Sequence, residues 1–186
     1  MTKALRRRHD PAAPDDGAAA VEFALLFPVF IVLAMGTMAA GTAYSKQINV
    51  TQAAREASRY GATYDMTEPT LGGIDGWLAA VDSAAVESAG DANSPIGGFD
   101  YRCVAYVTTD SSGDVDTSKS RYSENGGAAT NGACPGGTQD AAIPDTDYVQ
   151  VALARKTSFF VIFANPTLQL DGLSFTPYEA KAPETL

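Results

Sequence analysis

The sequence AAAVEFALLFPVFIVLAMGTMAAGTAY, residues Ala18 to Tyr44, decides how the rest of the chain is read. It runs for 27 residues with one charge, Glu22, near its start. A helix of that length spans about 40 Å, against ~30 Å for the hydrocarbon core of a bilayer. A transmembrane helix is therefore expected, since buried helices of soluble domains are seldom so long and so apolar. Lys3, Arg6, Arg7 and Arg8 precede the stretch, tempered by Asp10, Asp15 and Asp16, and Lys46 is the only basic residue close behind it. Orientation follows this Lys/Arg bias. The expectation is a single-pass protein of the cytoplasmic (inner) membrane. Its N-terminus would be cytoplasmic and its C-terminal domain extracytoplasmic.

Glu22 needs a physical reason. A lone carboxylate near hydrocarbon costs several kcal/mol, of order 3 on insertion scales, so a partner or a task is implied. Residues 1–17 read as a basic, Pro/Ala/Asp-rich leader ending at Gly17. A cut after Gly17 would give Ala18 a free ammonium group, four residues before Glu22. Pairing the two, within one chain or between neighbours, would compensate both charges in a low-dielectric setting.

A basic leader, Gly17, and Glu22 at the fifth position after it look like a type IV prepilin signal. The longer text, GAAAVEFALLFPVFIVLAMG and then TQAAREASRYGAT, resembles the TadE-like family over residues 17 to about 62. That family comprises minor pilins or pseudopilins of Tad (Flp) pilus systems. The resemblance implies that a membrane-embedded prepilin peptidase cuts between Gly17 and Ala18 and that Glu22 steers subunit packing. It implies other pilin and pseudopilin subunits and the pilus assembly machinery as partners, in a structure that serves adhesion and surface attachment. An Arg before the Gly is usual in such leaders; Asp16 stands here. Two other readings stay open. A secretory signal peptide could be cut at Gly41-Thr42-Ala43, and a plain anchor needs no cut. The first is hard to square with Glu22, and the second gives Glu22 no purpose.

Pro28 removes a backbone hydrogen bond inside the apolar helix. It is either a weak point that yields when the helix packs into a filament or a tolerated membrane proline. Gly36 with Ala40, and Ala39 with Ala43, allow close helix approach. Beyond the membrane, Ala43, Gln47, Val50, Ala54, Ala57 and Gly61 recur at helical spacing. The stem is thus expected over 18–60, with Gly61 ending it. Arg55, Glu56 and Arg59 crowd the other face. By the resemblance Arg55 and Glu56 are candidate subunit contacts, while Arg59 reads as solvated.

Residues 61–186 should form one small extracytoplasmic domain. A turn over 62–73 leads to a second helix capped by Asp75, with Ile74, Trp77, Leu78, Val81 and Ala85 on one face and Gly90 stopping it. Trp77, the sole tryptophan, reads as a core anchor. Residues 91–98 read as a linker. FDYRCVAYVT (99–108) and YVQVALARK (148–156) alternate as strands. The run 159–163 is strand or helix, and 168–175 is a last strand broken at Asp171-Gly172. A Gly/Ser/Asp-rich loop at 109–147 and a polar tail from Pro177 complete the domain. Cys103 and Cys134, in an exported domain, point to one disulfide. The pattern is α+β: a long N-terminal transmembrane helix as a pilin-like stem, then a small helix and a small antiparallel sheet.

The formal net charge is -9. Four of the 13 Lys and Arg and three of the 22 Asp and Glu lie in residues 1–17, so the remainder carries -10. Such a field repels nucleic acid and anionic lipid, and no nucleic-acid partner is expected. His9, in the leader, is the only histidine, which excludes a His-based triad outside. No nucleotide, zinc-protease or hydrolase motif occurs, so no enzyme activity and no cofactor are expected. Asp110, Asp114 and Asp116 are the weak calcium alternative, in a spacing that does not match an EF-hand. The functional expectation is a minor pilin or pseudopilin-like subunit in Tad/Flp pilus assembly. The alternative is a single-pass anchored binding module that uses the 110–147 loop.

Overall fold

The structure, a computed structural model, describes residues 16–68, 71–89, 98–135, 144–158 and 167–180. The leader before Asp16, the 91–97 linker, the stop at Gly90 and the 159–163 run lie outside the described residues.

The fold is α+β. Helix α1 runs from Asp16 to Thr63 and α2 from Ile74 to Ser88. Five strands follow: β1 Tyr101–Thr108, β2 Arg121–Glu124, β3 Thr130–Asn131, β4 Asp147–Ser158 and β5 Thr167–Pro177. They form one antiparallel sheet in the order β3-β2-β1-β4-β5. At ~1.5 Å per residue α1 is about 72 Å long. Its outer half lies on the sheet against β4 and β5, with α2 beside it.

The expected small-residue face of α1 is the one that docks. Val50, Ala53, Ala54, Ala57, Ser58, Gly61 and Ala62 are buried, and Val104, Tyr106, Val149, Val151 and Leu153 meet them from the sheet. Val149, Val151 and Leu153 share one face of β4 because side chains alternate along a strand. On the opposite face of the sheet a smaller cluster forms around Cys134. Cys103 and Cys134 form the disulfide, with Cα atoms 5.9 Å apart. Ala105, Val107 and Ala152 complete this smaller cluster. The Cys134 backbone N–H donates to Oε1 of buried Gln150 at 3.1 Å, a second pin on the same segment.

Several expectations are corrected. Gly61 does not end α1, which continues to Thr63. A Cβ at Gly61 would stand 2.9 Å from Val81 Cγ2 and 3.0 Å from both Trp77 Cζ2 and Val149 Cγ1, so the glycine serves close packing. Asp75 does not cap α2; the cap position is Gly73, and Asp75 sits in the first turn, 3.6 Å from Arg121. The 109–147 loop is not structureless, because β2 and β3 extend the sheet from within it. Beyond Pro177 the polar tail is tied to the stem. Glu179 and Ala180 N–H groups donate to Ala62 O at 3.0 and 3.1 Å and so cap α1, whose last carbonyls need outside partners.

Asp171-Gly172 does not break β5, which pairs with β4 without interruption from Thr167 to Pro177. A Cβ at Gly172 would lie 2.7 Å from Val50 O, so this is where the stem backbone crosses the edge strand. Gln47 Nε2 donates to Asp171 O at 2.8 Å beside the crossing, and Ser58 Oγ lies 2.8 Å from both Ser174 Oγ and Thr176 Oγ1 further along. A backbone carbonyl cannot turn aside as a side chain can. Gly172→Ala is therefore expected to push β5 off the stem and destabilise the domain by about 1–3 kcal/mol. Thermal unfolding of the detergent-solubilised chain, followed by circular dichroism, checks this; an unchanged midpoint would contradict the crossing.

Candidate functional site

Among the described residues the inner half of α1 has no cover. The helix is long and apolar enough to cross a membrane, and none of its most apolar stretch is buried. Phe23, Leu25, Phe30 and Met38 are all exposed. Burying that surface is favourable by about 25 cal/mol per Å², so a stripe this large calls for hydrocarbon or for other apolar helices. Gly17, Ala18 and Glu22 lie in the first two turns, all exposed. Among the described residues Glu22 has no ion pair. Pro28 lies inside the unbroken helix.

Further out, Arg55 and Glu56 are exposed on the face of α1 turned away from the sheet. The structure does not bring them to Glu22, which lies about nine turns away along α1. It brings Glu56 instead to a groove of about 570 Å³ between α1 and α2, lined also by Tyr60, Ala84 and Glu87. Glu87 was not legible as a site residue, since only the packing of α2 on α1 sets it beside Glu56 and Tyr60.

A cluster around Trp77 locks stem and head together. Trp77 is fully buried, and its Nε1–H is shared between Gly61 O at 3.2 Å and Tyr64 O at 3.1 Å. Trp77, Tyr106 and Tyr178 meet edge to face, with centroids 5.4 to 6.2 Å apart. Burial pushes the Tyr106 and Tyr178 phenols up, with the negative charge of Asp147 adding to both, so they stay neutral at physiological pH. Asp82 and Arg102 bind side by side at 2.8 and 3.2 Å and tie α2 to β1. Between β1 and β2, burial and the bond to Glu124 push the Tyr101 phenol up to about 12.

Asp110, Asp114 and Asp116 do not converge on a common point. Asp110 Oδ1 accepts from the Ser112 and Asp114 backbone, and Asp116 Oδ1 accepts from the backbone and hydroxyl of Ser118. Those Ser118 bonds hold the Asp116 carboxyl below its usual range, so its charge is already served locally. Among the described residues no cluster of three or more His, Cys, Asp or Glu could hold a metal ion.

A family model described as TadE-like protein matches residues 17–59, most of the stem. The chain carries a TadE-like stem. No curated protein and no solved structure matches it. The TadE-like segment takes in Gly17, Ala18, Glu22, Pro28, Arg55 and Glu56 but stops short of Trp77, the disulfide and every strand.

Proposed function

We propose that this chain is a minor pilin or pseudopilin-like structural subunit in the assembly of a Tad/Flp-type pilus. Its stem anchors it by a single pass in the membrane, with the head outside. A prepilin peptidase releases the leader by cutting between Gly17 and Ala18. The role is structural and not catalytic. One observation carries the reading: an exposed Glu22 five residues after Gly17, with no ion pair among the described residues, on an apolar helix that those residues leave uncovered within the TadE-like segment.

The physical logic is charge compensation. One helical turn separates residue i from i+4, so a new Ala18 ammonium would stand within reach of Glu22. In a filament the same ammonium could meet the Glu22 of a neighbour. Each pairing lowers the desolvation penalty that either charge bears alone. The apolar stripe that the bilayer covers before assembly would be covered by other stems afterwards, with the small residues of the stem allowing close approach.

The N-terminus of the membrane-extracted protein tests this. It is expected at Ala18, read by terminal sequencing or intact mass. A chain still starting at Met1 would remove the processing step and return the anchored binding module. A chain starting at Tyr44 would make the stem a signal peptide.

A further inference from the structure

The face of α1 that the head leaves uncovered carries two stripes of opposite charge. Arg55 and Arg59, four residues apart, form one. Glu56 and Tyr60 form the other, about 100° further round the helix. Glu87 of α2 joins the second stripe across the groove. All four charged side chains are exposed, and Tyr60 is 39% exposed between the two acids. Among the described residues none of the four makes an ion pair, whereas Arg102–Asp82, Lys119–Asp116 and Arg121–Asp75 do. The domain thus pairs charges around its sheet and leaves Arg55, Arg59 and Glu56 of the stem beside Glu87 of α2.

We propose that the acidic groove between α1 and α2 receives the Arg55–Arg59 stripe of a second copy of this chain, lying alongside with its stem parallel. The proposal rests on the reading of the chain as a membrane-anchored assembly subunit, since anchoring holds the stems parallel and at one height. The choice of a second copy follows from complementarity. Both halves of the contact are present on every chain, at the same level of the same helix. Two parallel copies related by a twofold axis along the stem set the basic stripe of each against the acidic stripe of the other, so the contact is made twice. An Arg entering the groove meets two carboxylates and the Tyr60 ring, and a planar guanidinium suits both partners. Exposed ion pairs are individually weak and salt-sensitive, so the contact depends on the crowding that the membrane imposes.

Charge exchange in the full-length, membrane-inserted protein tests the proposal. The photo-crosslinker p-benzoylphenylalanine replaces Ser83, an exposed groove residue, in two copies carrying different epitope tags. Irradiation is expected to give an adduct of twice the chain mass bearing both tags. Arg55→Glu with Arg59→Glu makes both stripes acidic and should lower that adduct at least tenfold. Glu56→Arg with Glu87→Arg makes both basic and should do the same. Co-expressing the two variants should restore the adduct, which neither could do if either had failed to fold. An adduct indifferent to these changes, no restoration in the mixture, or an adduct only with a protein of another mass would overturn the pairing. The N-terminus of the chain is read from the same membranes. Processing at Ala18 without the adduct would sink the pairing alone, and an adduct on chains starting at Met1 would sink the pilin reading alone.

Discussion

Glu22→Ala is expected to leave the chain in the membrane and remove it from the assembled pilus fraction, by at least tenfold. The substitution takes away a charge whose insertion costs about 2.5–3.5 kcal/mol at hydrocarbon depth, and somewhat less near the interface, so anchoring can only improve. On the proposed reading, it deletes the counter-charge for an Ala18 ammonium freed by a cut after Gly17. That ammonium would then have to enter a packed apolar array unpaired, and breaking one side of a buried ion pair costs about 3–5 kcal/mol. Even half of that figure is more than a factor of ten in an assembly equilibrium. Glu22→Gln keeps the shape and loses the charge, so it should fail nearly as badly. Carbonate-resistant membrane and sheared surface material are compared by immunoblot, with the N-terminus of each variant read alongside. Wild-type incorporation of a correctly processed Glu22→Ala chain would show that the acid has no part in packing.

Legibility in the sequence tracked how local the signal was. The stem could be read because an apolar run and a small-residue period are properties of one segment, and α1 buries the residues that the period marked, Val50, Ala54 and Ala57. Strands β1 and β4 could be read because alternation is equally local. The disulfide followed from there being two cysteines in a chain expected to be exported. Features made by two segments at once were missed. Strands β2 and β3 have four and two residues, too few for a pattern, and become strands by pairing outward from β1. In the sequence Gly61 and Gly172 read as a helix end and a strand break, because a glycine's commonest local meaning is backbone freedom. Both instead mark close approach, and that meaning depends on Val81, Trp77 and Val50, which lie 16 to 122 positions away in the chain. The acidic groove was missed for the same reason. Glu56 could be named from the stem text, but Glu87 enters only once α2 is packed on α1.

The same distinction sets the second large effect, at Trp77. This ring joins four segments: α1 through the Gly61 and Tyr64 carbonyls, its own helix α2, β1 through Tyr106, and the tail through Tyr178. Trp77→Ala removes a fully buried aromatic, which costs about 3–5 kcal/mol. It also takes the indole N–H from two carbonyls beside the end of α1. A buried acceptor left unmet adds about 1–3 kcal/mol, unless water enters the new cavity. Against a usual domain stability of about 5–15 kcal/mol, that loss leaves the head marginal. The stem is different in kind, because its apolar half draws nothing from Trp77 and stays helical in detergent or lipid. The expected phenotype is therefore split: far-UV helix signal mostly retained, with near-UV signal and amide protection in β1 and β4 largely lost. Trp77→Phe separates the two causes. It keeps much of the ring packing and forgoes the N–H, so it should cost less than half as much. Denaturant titration of the chain in detergent, read by near-UV circular dichroism, measures both variants. If Trp77→Ala unfolds within about 1 kcal/mol of wild type, stem and head are held together by the sheet contacts of Val50, Ala54 and Ala57, and the aromatic cluster only fills space.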